Sequence, residues 1–188
     1  EVKITDPSVK YVLVGQGGEK SRLLSTARQL NLSVYDRETD SESAMDNADV
    51  LFLGFQNNPY QYCYRARLFL FPSLFEGMPN ALAEAFICGV MCVASDCRSG
   101  PREILSNAAY NRELIYPYFE LGYLMPVLNE SSPVSLLSAD EKKWVNVIKE
   151  VLENKGPFPG DRAFHKKTEQ FNKENVVKKW EKALSVCG

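Results

Sequence analysis

Two glutamates stand on either side of a tight turn in the segment PSLFEGMPNALAEAF, residues 72–86. Glu76 and Glu84 are eight positions apart, and the residues between them form a turn that opens a helical pattern. Gly77 lets the backbone come close to a ligand, and Pro79 suits the first turn of a helix. Helix-start N–H groups bind phosphate, whereas carboxylates accept hydrogen bonds from sugar hydroxyls. The combination suits a nucleotide diphosphate sugar.

The same glutamates also have a purely structural explanation. A glutamate near the N-terminus of a helix stabilises the helix dipole by roughly 0.3–1 kcal/mol without any ligand. Helical spacing predicts a buried face made of Leu82, Ala85, Phe86 and Gly89, and Glu84 points away from that face. Spacing alone therefore leaves both explanations open.

Alternating strands and helices position this segment. Apolar runs predict strands at 10–14, 49–54, 67–73 and 90–95, with helices at 19–30, 58–66 and 80–89. Strands that are apolar throughout need cover on both faces, so we predict an α/β fold with a doubly wound, Rossmann-like parallel sheet. Ligands of such sheets bind beyond the carboxyl ends of strands, which selects residues 15–18, 54–57, 72–80 and 95–101.

The other segments are expected to support the fold. The acidic stretch 36–47 is interpreted as an exposed loop without chemistry, and a strand is predicted near residues 122–127. Ser138 and Glu141 form a capping-box pattern at the start of a helix. A helical tail closes the chain, and its last part, residues 171–188, carries an apolar stripe.

Composition restricts the function classes. The chain has 188 residues, of which 45% are hydrophobic, and is predicted to form one domain over residues 1–188. A net charge of -2 and a pI near 5.6 provide no global attraction to nucleic acid or anionic membranes. The longest apolar stretch, 85–94, has about half of the roughly 20 residues that a membrane-spanning helix needs, and no signal peptide is recognised. We therefore expect a soluble protein with no transmembrane segment and no nucleic-acid partner.

The cysteines do not predict a metal site. No CxxC pair is present, and only His165 could join the thiols as a ligand. Reduced, buried thiols in a cytosolic protein are the simpler interpretation of Cys63, Cys88, Cys92, Cys97 and Cys187.

Four motifs together resemble a known family. VLVGQG, VLFLG, LFLFPSLFEGMPNALAEAFICGV and SDCRSGPREI stand in the order and spacing of the C-terminal, nucleotide-sugar-binding domain of retaining GT-B glycosyltransferases. The resemblance is to glycosyltransferase family 4, the glycosyl transferases group 1, and is strongest over residues 8–106. A GxGxxG dinucleotide fingerprint is excluded because Lys20 occupies the position of its third glycine. The sequences FEGMPNALAEA and SGPREIL are most similar to those of bacterial enzymes that synthesise surface polysaccharides, lipopolysaccharide or lipid-linked glycans.

The resemblance implies a reaction and roles for the glutamates. The reaction is transfer of a hexose from a nucleotide sugar, with UDP favoured, to an acceptor hydroxyl with retention, without a cofactor or metal. Glu76 is implied as the catalytic carboxylate that faces the donor sugar, first as a positioning residue, and Glu84 as the acceptor of ribose hydroxyl hydrogen bonds. The backbone implied to contact sugar and diphosphate comprises Gly77, Met78, Pro79, Asn80 and Ala81.

Further donor contacts are implied earlier in the chain. Gly15 and Gly17 would line the opposite wall of the cleft, and the stretch with Phe55 and Gln56 lies where the family holds the base. Histidines and additional carboxylates in the cleft would instead favour an epimerase of the same fold. A non-catalytic nucleotide-sugar-binding module is the third alternative, because the family's diphosphate-neutralising arginine and lysine precede the strand at 10–14.

The resemblance also implies partners. The chain would be the donor-binding half of an enzyme, inactive without its own N-terminal acceptor domain, to which residues 171–188 would cross. Its other partners would be the nucleotide-sugar donor and a glycan or lipid-linked acceptor. A cytoplasmic location is expected, with a peripheral position at the cytoplasmic membrane face open to the full-length protein.

Overall fold

Strands and helices alternate along the chain in this computed structural model, which describes residues 1–109, 111–128, 137–153, 166–172, 174, 175 and 177. Contacts between residues divide the chain into two units, residues 1–61 with 133–136 and residues 62–132 with 137–188. Each unit has its own sheet and its own apolar core. The α/β class with parallel sheets is confirmed, whereas a single domain over residues 1–188 stays a prediction.

The first unit is built around three parallel strands in the order β1-β3-β2. Its core joins Ala27 to Val50 and Phe52, which are all buried. Residues 42–47 form a 3-10 helix. The elements in chain order are α1 (Val2–Thr5), β1 (Tyr11–Leu13), α2 (Lys20–Gln29), β2 (Val34–Asp36), β3 (Val50–Phe52) and α3 (Tyr60–Arg65), whose sequence runs into the second unit.

The strand β2 was not predicted. It has three residues, too few to show a period, and it pairs with β3 so that Tyr35 lies opposite Leu51. Tyr35 is buried, as is Asp36, which the sequence analysis placed in the loop. Residues 37–47 are exposed, as predicted, but only 37–41 form a loop, because residues 42–47 form the 3-10 helix.

The second unit holds a four-stranded sheet in the order β4-β5-β7-β6. Strands β4, β5 and β7 are parallel, but β6 is antiparallel to β7 because the short connection through residues 120–122 returns the chain beside itself. The prediction of a wholly parallel sheet was wrong at this edge. The elements are β4 (Phe69–Phe71), α4 (Asn80–Ile87), β5 (Cys92–Ser95), α5 (Pro101–Leu105), β6 (Tyr118–Phe119), β7 (Tyr123–Met125) and α6 (Ala139–Leu152).

Helices cover both faces of this sheet. Alternate residues of β5 enter different cores: Ala94 packs with the buried residues of α4 and α5, and Val93 packs with those of α6. Trp144 of α6 is buried and its indole N–H donates to the carbonyl of Pro126 at 3.0 Å. Burial on both faces explains why β5 is apolar throughout.

Two helix ends test the sequence signals. The capping box of α6 is confirmed, because Ser138 Oγ accepts from the Glu141 N–H at 3.1 Å while Glu141 accepts from the Ser138 N–H at 2.7 Å. Gly89 was predicted to be buried, but it is exposed, because α4 ends at Ile87 and Gly89 follows with φ +80. Of the apolar stripe predicted within residues 171–188, Trp180 lies outside the described residues, whereas Val177 is described and is 44% exposed.

Candidate functional site

The turn that precedes α4 holds Glu76 by its side chain. Ser73 Oγ donates a hydrogen bond to Glu76 Oε1 at 2.6 Å, which fixes one carboxylate oxygen against the loop that follows β4. Glu76 itself is half-buried. Two apolar side chains close to it in sequence, Phe75 and Met78, are 86% and 51% exposed.

Helix α4 begins without a side-chain cap. Pro79 stands immediately before the helix rather than in its first turn, and its carbonyl accepts the N–H groups of Leu82 and Ala83, each at 3.1 Å. Within the described part of the chain, the N–H groups of Asn80 and Ala81 have no protein acceptor. These two donors lie at the positive end of the helix dipole, where an anion is stabilised.

Glu84 lies one helical turn beyond this start. Residues four apart occupy the same side of a helix, so Glu84 is on the side of Asn80 and is half-buried. The predicted buried face is confirmed for Leu82, Ala85 and Phe86, which are 0%, 0% and 1% exposed. Glu76, the free helix-start N–H groups and Glu84 thus all lie in residues 76–84 of the second unit.

A second loop, residues 96–101, packs on this turn. Ser99 Oγ donates a hydrogen bond to the carbonyl of Glu76. Gly100 has φ +91, and a β-carbon at that position would lie 2.1 Å from Pro79 Cδ and 2.8 Å from the carbonyl oxygen of Gly77. Only glycine fits such a close approach to the neighbouring backbone.

A buried ion pair closes the loop 96–101. Arg102 Nε donates to Asp96 Oδ1 at 2.9 Å and Arg102 Nη2 donates to Asp96 Oδ2, with side-chain exposures of 9% and 1%. Tyr116 also donates to Asp96 Oδ2, at 2.8 Å, and burial together with this carboxylate raises the pKa of Tyr116 to about 12. The motif SDCRSGPREI contains both residues, but their spacing did not predict this pairing.

The remaining Arg102 donors bind backbone. Arg102 Nη1 donates to the carbonyls of Ala109 and Arg112, at 3.1 and 2.9 Å. The guanidinium therefore ties α5 both to Asp96 and to the segment that follows α5. The sequence contained a signal for this ion pair. Asp96 and Arg102 stand six residues apart at the two ends of a segment with Gly100-Pro101, which is compatible with a loop whose ends pair.

The described cysteines are free thiols, as predicted, but only Cys92 and Cys97 are buried, whereas Cys63 and Cys88 are half-buried. Burial raises the pKa of Cys63 and Cys88, and the negative charge of Glu84 adds to the rise in both. Among the described residues, no group of three or more His, Cys, Asp or Glu side chains could hold a metal ion. Cys187 and His165 lie outside that part of the chain.

The first unit contains a separate group of predicted residues. The Gly15 N–H donates to the Gly54 carbonyl at 2.8 Å, which brings the ends of β1 and β3 together, and both glycines have positive φ. A cavity of about 430 Å³ adjoins these ends. Its lining comprises Gln16, Arg37, Glu38, Leu53, Gly54, Phe55, Gln56 and Asn57.

The cavity lining is ordered by side-chain hydrogen bonds. Gln56 Nε2 donates to the Leu53 carbonyl at 2.7 Å, and Gln56 Oε1 accepts from Arg37 Nη1 at 3.2 Å. The Phe55 side chain is 68% exposed. Gly17 is placed outside this lining, in the exposed turn before α2, where its carbonyl accepts the Lys20 N–H at 3.3 Å.

Lys20 has a structural role that the sequence analysis did not predict. Lys20 Nζ lies 2.9 Å from Asp36 Oδ1 and 2.7 Å from Glu38 Oε2. Burial alone would raise the pKa of Asp36, but the hydrogen bond from Lys20 contributes to lowering it overall. The residue that breaks the dinucleotide fingerprint thus links the start of α2 to the end of β2.

Comparison with known proteins decides the family. The family model described as Glycosyl transferases group 1 matches residues 1–118. The chain belongs to this family. The membership of the glycosyl transferases group 1 that the four motifs indicated is thereby confirmed.

Two curated relatives illustrate the extent of the match. An uncharacterized glycosyltransferase of Methanocaldococcus jannaschii is 26% identical over 185 residues, which cover 93% of this chain and 41% of the relative. The N-acetylgalactosamine-N,N'-diacetylbacillosaminyl-diphospho-undecaprenol 4-alpha-N-acetylgalactosaminyltransferase of Campylobacter jejuni is 35% identical over 124 residues, 66% of this chain and 27% of the relative. The chain therefore spans less than half the length of either relative.

Solved structures share the fold. Staphylococcus aureus TarM, solved with UDP among its ligands, superposes with a TM-score of 0.68 at 20% identity, over 96% of this chain and 30% of that protein. Anabaena HepE in complex with UDP gives a TM-score of 0.64 at 19% identity, over 96% of this chain and 42% of that protein. The likeness establishes the fold of the GT-B glycosyltransferases. No described helix has both the length and the apolar character needed to cross a membrane.

Proposed function

We propose that this chain supplies the donor site of a retaining glycosyltransferase that moves a hexose from a UDP sugar to an acceptor hydroxyl. The observation that carries the proposal is the uncapped start of α4, whose free N–H groups lie between Glu76 and Glu84. Family membership supports transfer chemistry. A nucleotide sugar has hydroxyl groups on both sides of its diphosphate. Such a ligand explains why a carboxylate stands on each side of a helix start that can bind an anion.

Each group in the segment then has a role. The N–H groups of Asn80 and Ala81 stabilise the diphosphate, on which negative charge grows as it departs. Glu84 accepts hydrogen bonds from the ribose hydroxyls. Glu76, held by Ser73, accepts them from the donor sugar and lies beside the carbon that is transferred. A positioned carboxylate also stabilises the positive charge of an oxocarbenium-like transition state.

Residues of the first unit are proposed to contact a nucleotide base. The exposed ring of Phe55 offers a surface for stacking on a base, and Gln56 and Arg37 offer polar groups beside it. Gly15 and Gly17 are proposed as backbone that approaches the ligand closely. This assignment is supported by the motif resemblance and by the cavity next to Phe55.

The relatives guide the choice of donor and acceptor. UDP is proposed because TarM and HepE were both solved with it. A surface polysaccharide or lipid-linked glycan is proposed as acceptor, because the Campylobacter relative is named for a diphospho-undecaprenol-linked acceptor. The full-length protein is proposed to carry the acceptor domain as well and to work at the cytoplasmic face of the membrane. No metal is required, so a chelator should leave the transfer rate unchanged.

Calorimetric titration of the chain with UDP and with UDP-N-acetylglucosamine tests the proposal. Glu84→Gln should weaken UDP binding by about 1–3 kcal/mol, the range of hydrogen bonds to a charged group. Glu76→Gln should leave UDP binding unchanged and weaken only the binding of the intact UDP sugar. Glu113→Gln, an exposed carboxylate in the same unit, is the matched control. Equal UDP affinity of the parent chain and Glu84→Gln would refute the ribose role.

A further inference from the structure

We infer that Ser99 is a positioning residue for Glu76, and that the buried pair of Asp96 and Arg102 keeps Ser99 in place. The inference rests on the proposed function, since it concerns the geometry of the carboxylate that would face the donor sugar. It assigns roles to Asp96 and Ser99 in the loop before α5 and to Arg102 in α5, which all lie outside the segment 72–86.

The loop that carries Ser99 is closed by its own ends. Asp96 leaves β5 and Arg102 lies in α5, and the two charged groups meet through two hydrogen bonds on the inside of the unit. Tyr116 adds a third hydrogen bond to the same carboxylate at 2.8 Å. A planar guanidinium that binds both oxygens of a carboxylate fixes direction as well as distance. The loop between Asp96 and Arg102 therefore has little freedom to move.

This closed loop contacts the Glu76 turn at two places. The Ser99 hydroxyl donates to the carbonyl of Glu76, and Gly100 packs directly on Pro79 and on the Gly77 carbonyl. Glu76 is thus held twice: Ser99 holds its carbonyl, and Ser73 holds its carboxylate at 2.6 Å. Gly77 makes the backbone of the exposed Glu76 turn flexible. The contacts with Ser99 and Gly100 therefore give this turn a rigid support that its own sequence does not provide.

A rigid support matters for binding the sugar rather than the nucleotide. A binding or catalytic group has to stay within about 0.5 Å of its productive position, and support by neighbouring residues achieves this. Loss of the Ser99 hydroxyl removes no hydrogen bond of Glu84 or of the α4 start, because the hydrogen bond that this hydroxyl donates goes to the Glu76 carbonyl. Its removal should therefore change the preference for a UDP sugar over UDP, whereas a residue that only stabilises the fold would not change that preference.

The test compares two affinities in one protein. We would measure the binding of UDP, UDP-N-acetylglucosamine and UDP-galactose to the chain and to Ser99→Ala by calorimetric titration. For the sugar nucleotide that binds better, the affinity relative to UDP should fall about three- to tenfold, the effect of one lost hydrogen bond. Ser99→Thr, which keeps the hydroxyl, should restore the ratio. Ser21→Ala, an exposed serine of α2, should leave it unchanged.

A second variant tests the role of the ion pair. Arg102→Lys keeps the positive charge but loses the planar guanidinium that binds both oxygens of Asp96. Its affinity for the UDP sugar relative to UDP should therefore fall as in Ser99→Ala. The double variant should show little further fall in this affinity ratio. Additive losses in the double variant would overturn the part assigned to Arg102. If Arg102→Lys does not fold, Tyr116→Phe, which removes a single hydrogen bond to Asp96, replaces it with a smaller expected loss.

The possible results separate this inference from the proposed function. A parent chain that binds neither UDP nor the UDP sugars would refute the proposed function and the inference with it. A parent that binds both, with an unchanged ratio in Ser99→Ala, would overturn the inference alone. Equal weakening of UDP and UDP sugar would also overturn it, because it would assign Ser99 a purely structural role.

Discussion

Replacing Gly100 with alanine measures how closely the loop before α5 packs on the Glu76 turn. Two separate costs arise. With φ at +91 and ψ at -66, the backbone lies in a region that alanine rarely adopts, at a cost of roughly 1–3 kcal/mol. The new β-carbon would also lie 2.1 Å from Pro79 Cδ and 2.8 Å from the Gly77 carbonyl oxygen. A proline ring and a carbonyl cannot rotate away, so the loop or the turn must shift, at a cost of roughly 1–3 kcal/mol.

Gly89→Ala is the matched control. Gly89 has a similar φ of +80, but a β-carbon there would meet nothing within 4 Å. Alanine at this position should therefore carry the backbone cost alone. The expected loss of unfolding free energy is about 2–6 kcal/mol for Gly100→Ala against about 1–2 kcal/mol for Gly89→Ala. The difference between the variants reports the packing of Gly100 on Pro79.

Urea unfolding followed by circular dichroism provides the measurement. The midpoint should fall further for Gly100→Ala than for Gly89→Ala, with similar slopes, since the exposed surface on unfolding hardly changes. A shift of the turn should also weaken the binding of a UDP sugar in Gly100→Ala only. If the two variants lost equal stability, Gly100 would not be in the close contact described, and the argument that the loop supports Glu76 would fail.

Two further predictions concern stability. The hydrogen bond from Lys3, with others from Ser33, lowers the pKa of Asp49 from 3.8 to about 2. The contribution of Asp49 to the unfolding free energy is therefore fully present above about pH 4 and is lost as the pH falls toward about 2. Over this range the unfolding free energy of Asp49→Asn should depend less steeply on pH than that of the parent. Parallel curves of unfolding free energy against pH for the two proteins would contradict this. Ser138→Ala removes the cap of α6 and should lower the unfolding free energy by about 1 kcal/mol, and an unchanged urea midpoint would disprove that role.

Features that depend on neighbouring residues in the chain were predictable. The capping box at Ser138 and the buried face of α4 both follow from side-chain spacing along one helix, which is local information. The strand β5 could be predicted because burial on both faces makes it apolar throughout. The short strands β2 and β6 could not, because two or three residues show no period and form strands only by pairing with a neighbour.

The candidate site divides in the same way. The segment from Glu76 to Glu84 is continuous in sequence, so its turn, its helix start and its two carboxylates could be read directly, and the surrounding motifs indicated the family. The supports of Glu76 are not continuous with it. Ser99 reaches the Glu76 carbonyl from 23 positions away, and Tyr116 reaches Asp96 from 20 positions away.

The sequence alone thus determined the chemical groups of the site and the family, because residue types and local spacing encode them. Tertiary structure decided what holds those groups in place. The pairing of Asp96 with Arg102 depends on a loop that folds back on itself inside the second unit, and no spacing rule along the chain specifies which buried charges meet there. Only packing determines which of several possible partners comes within hydrogen-bonding distance.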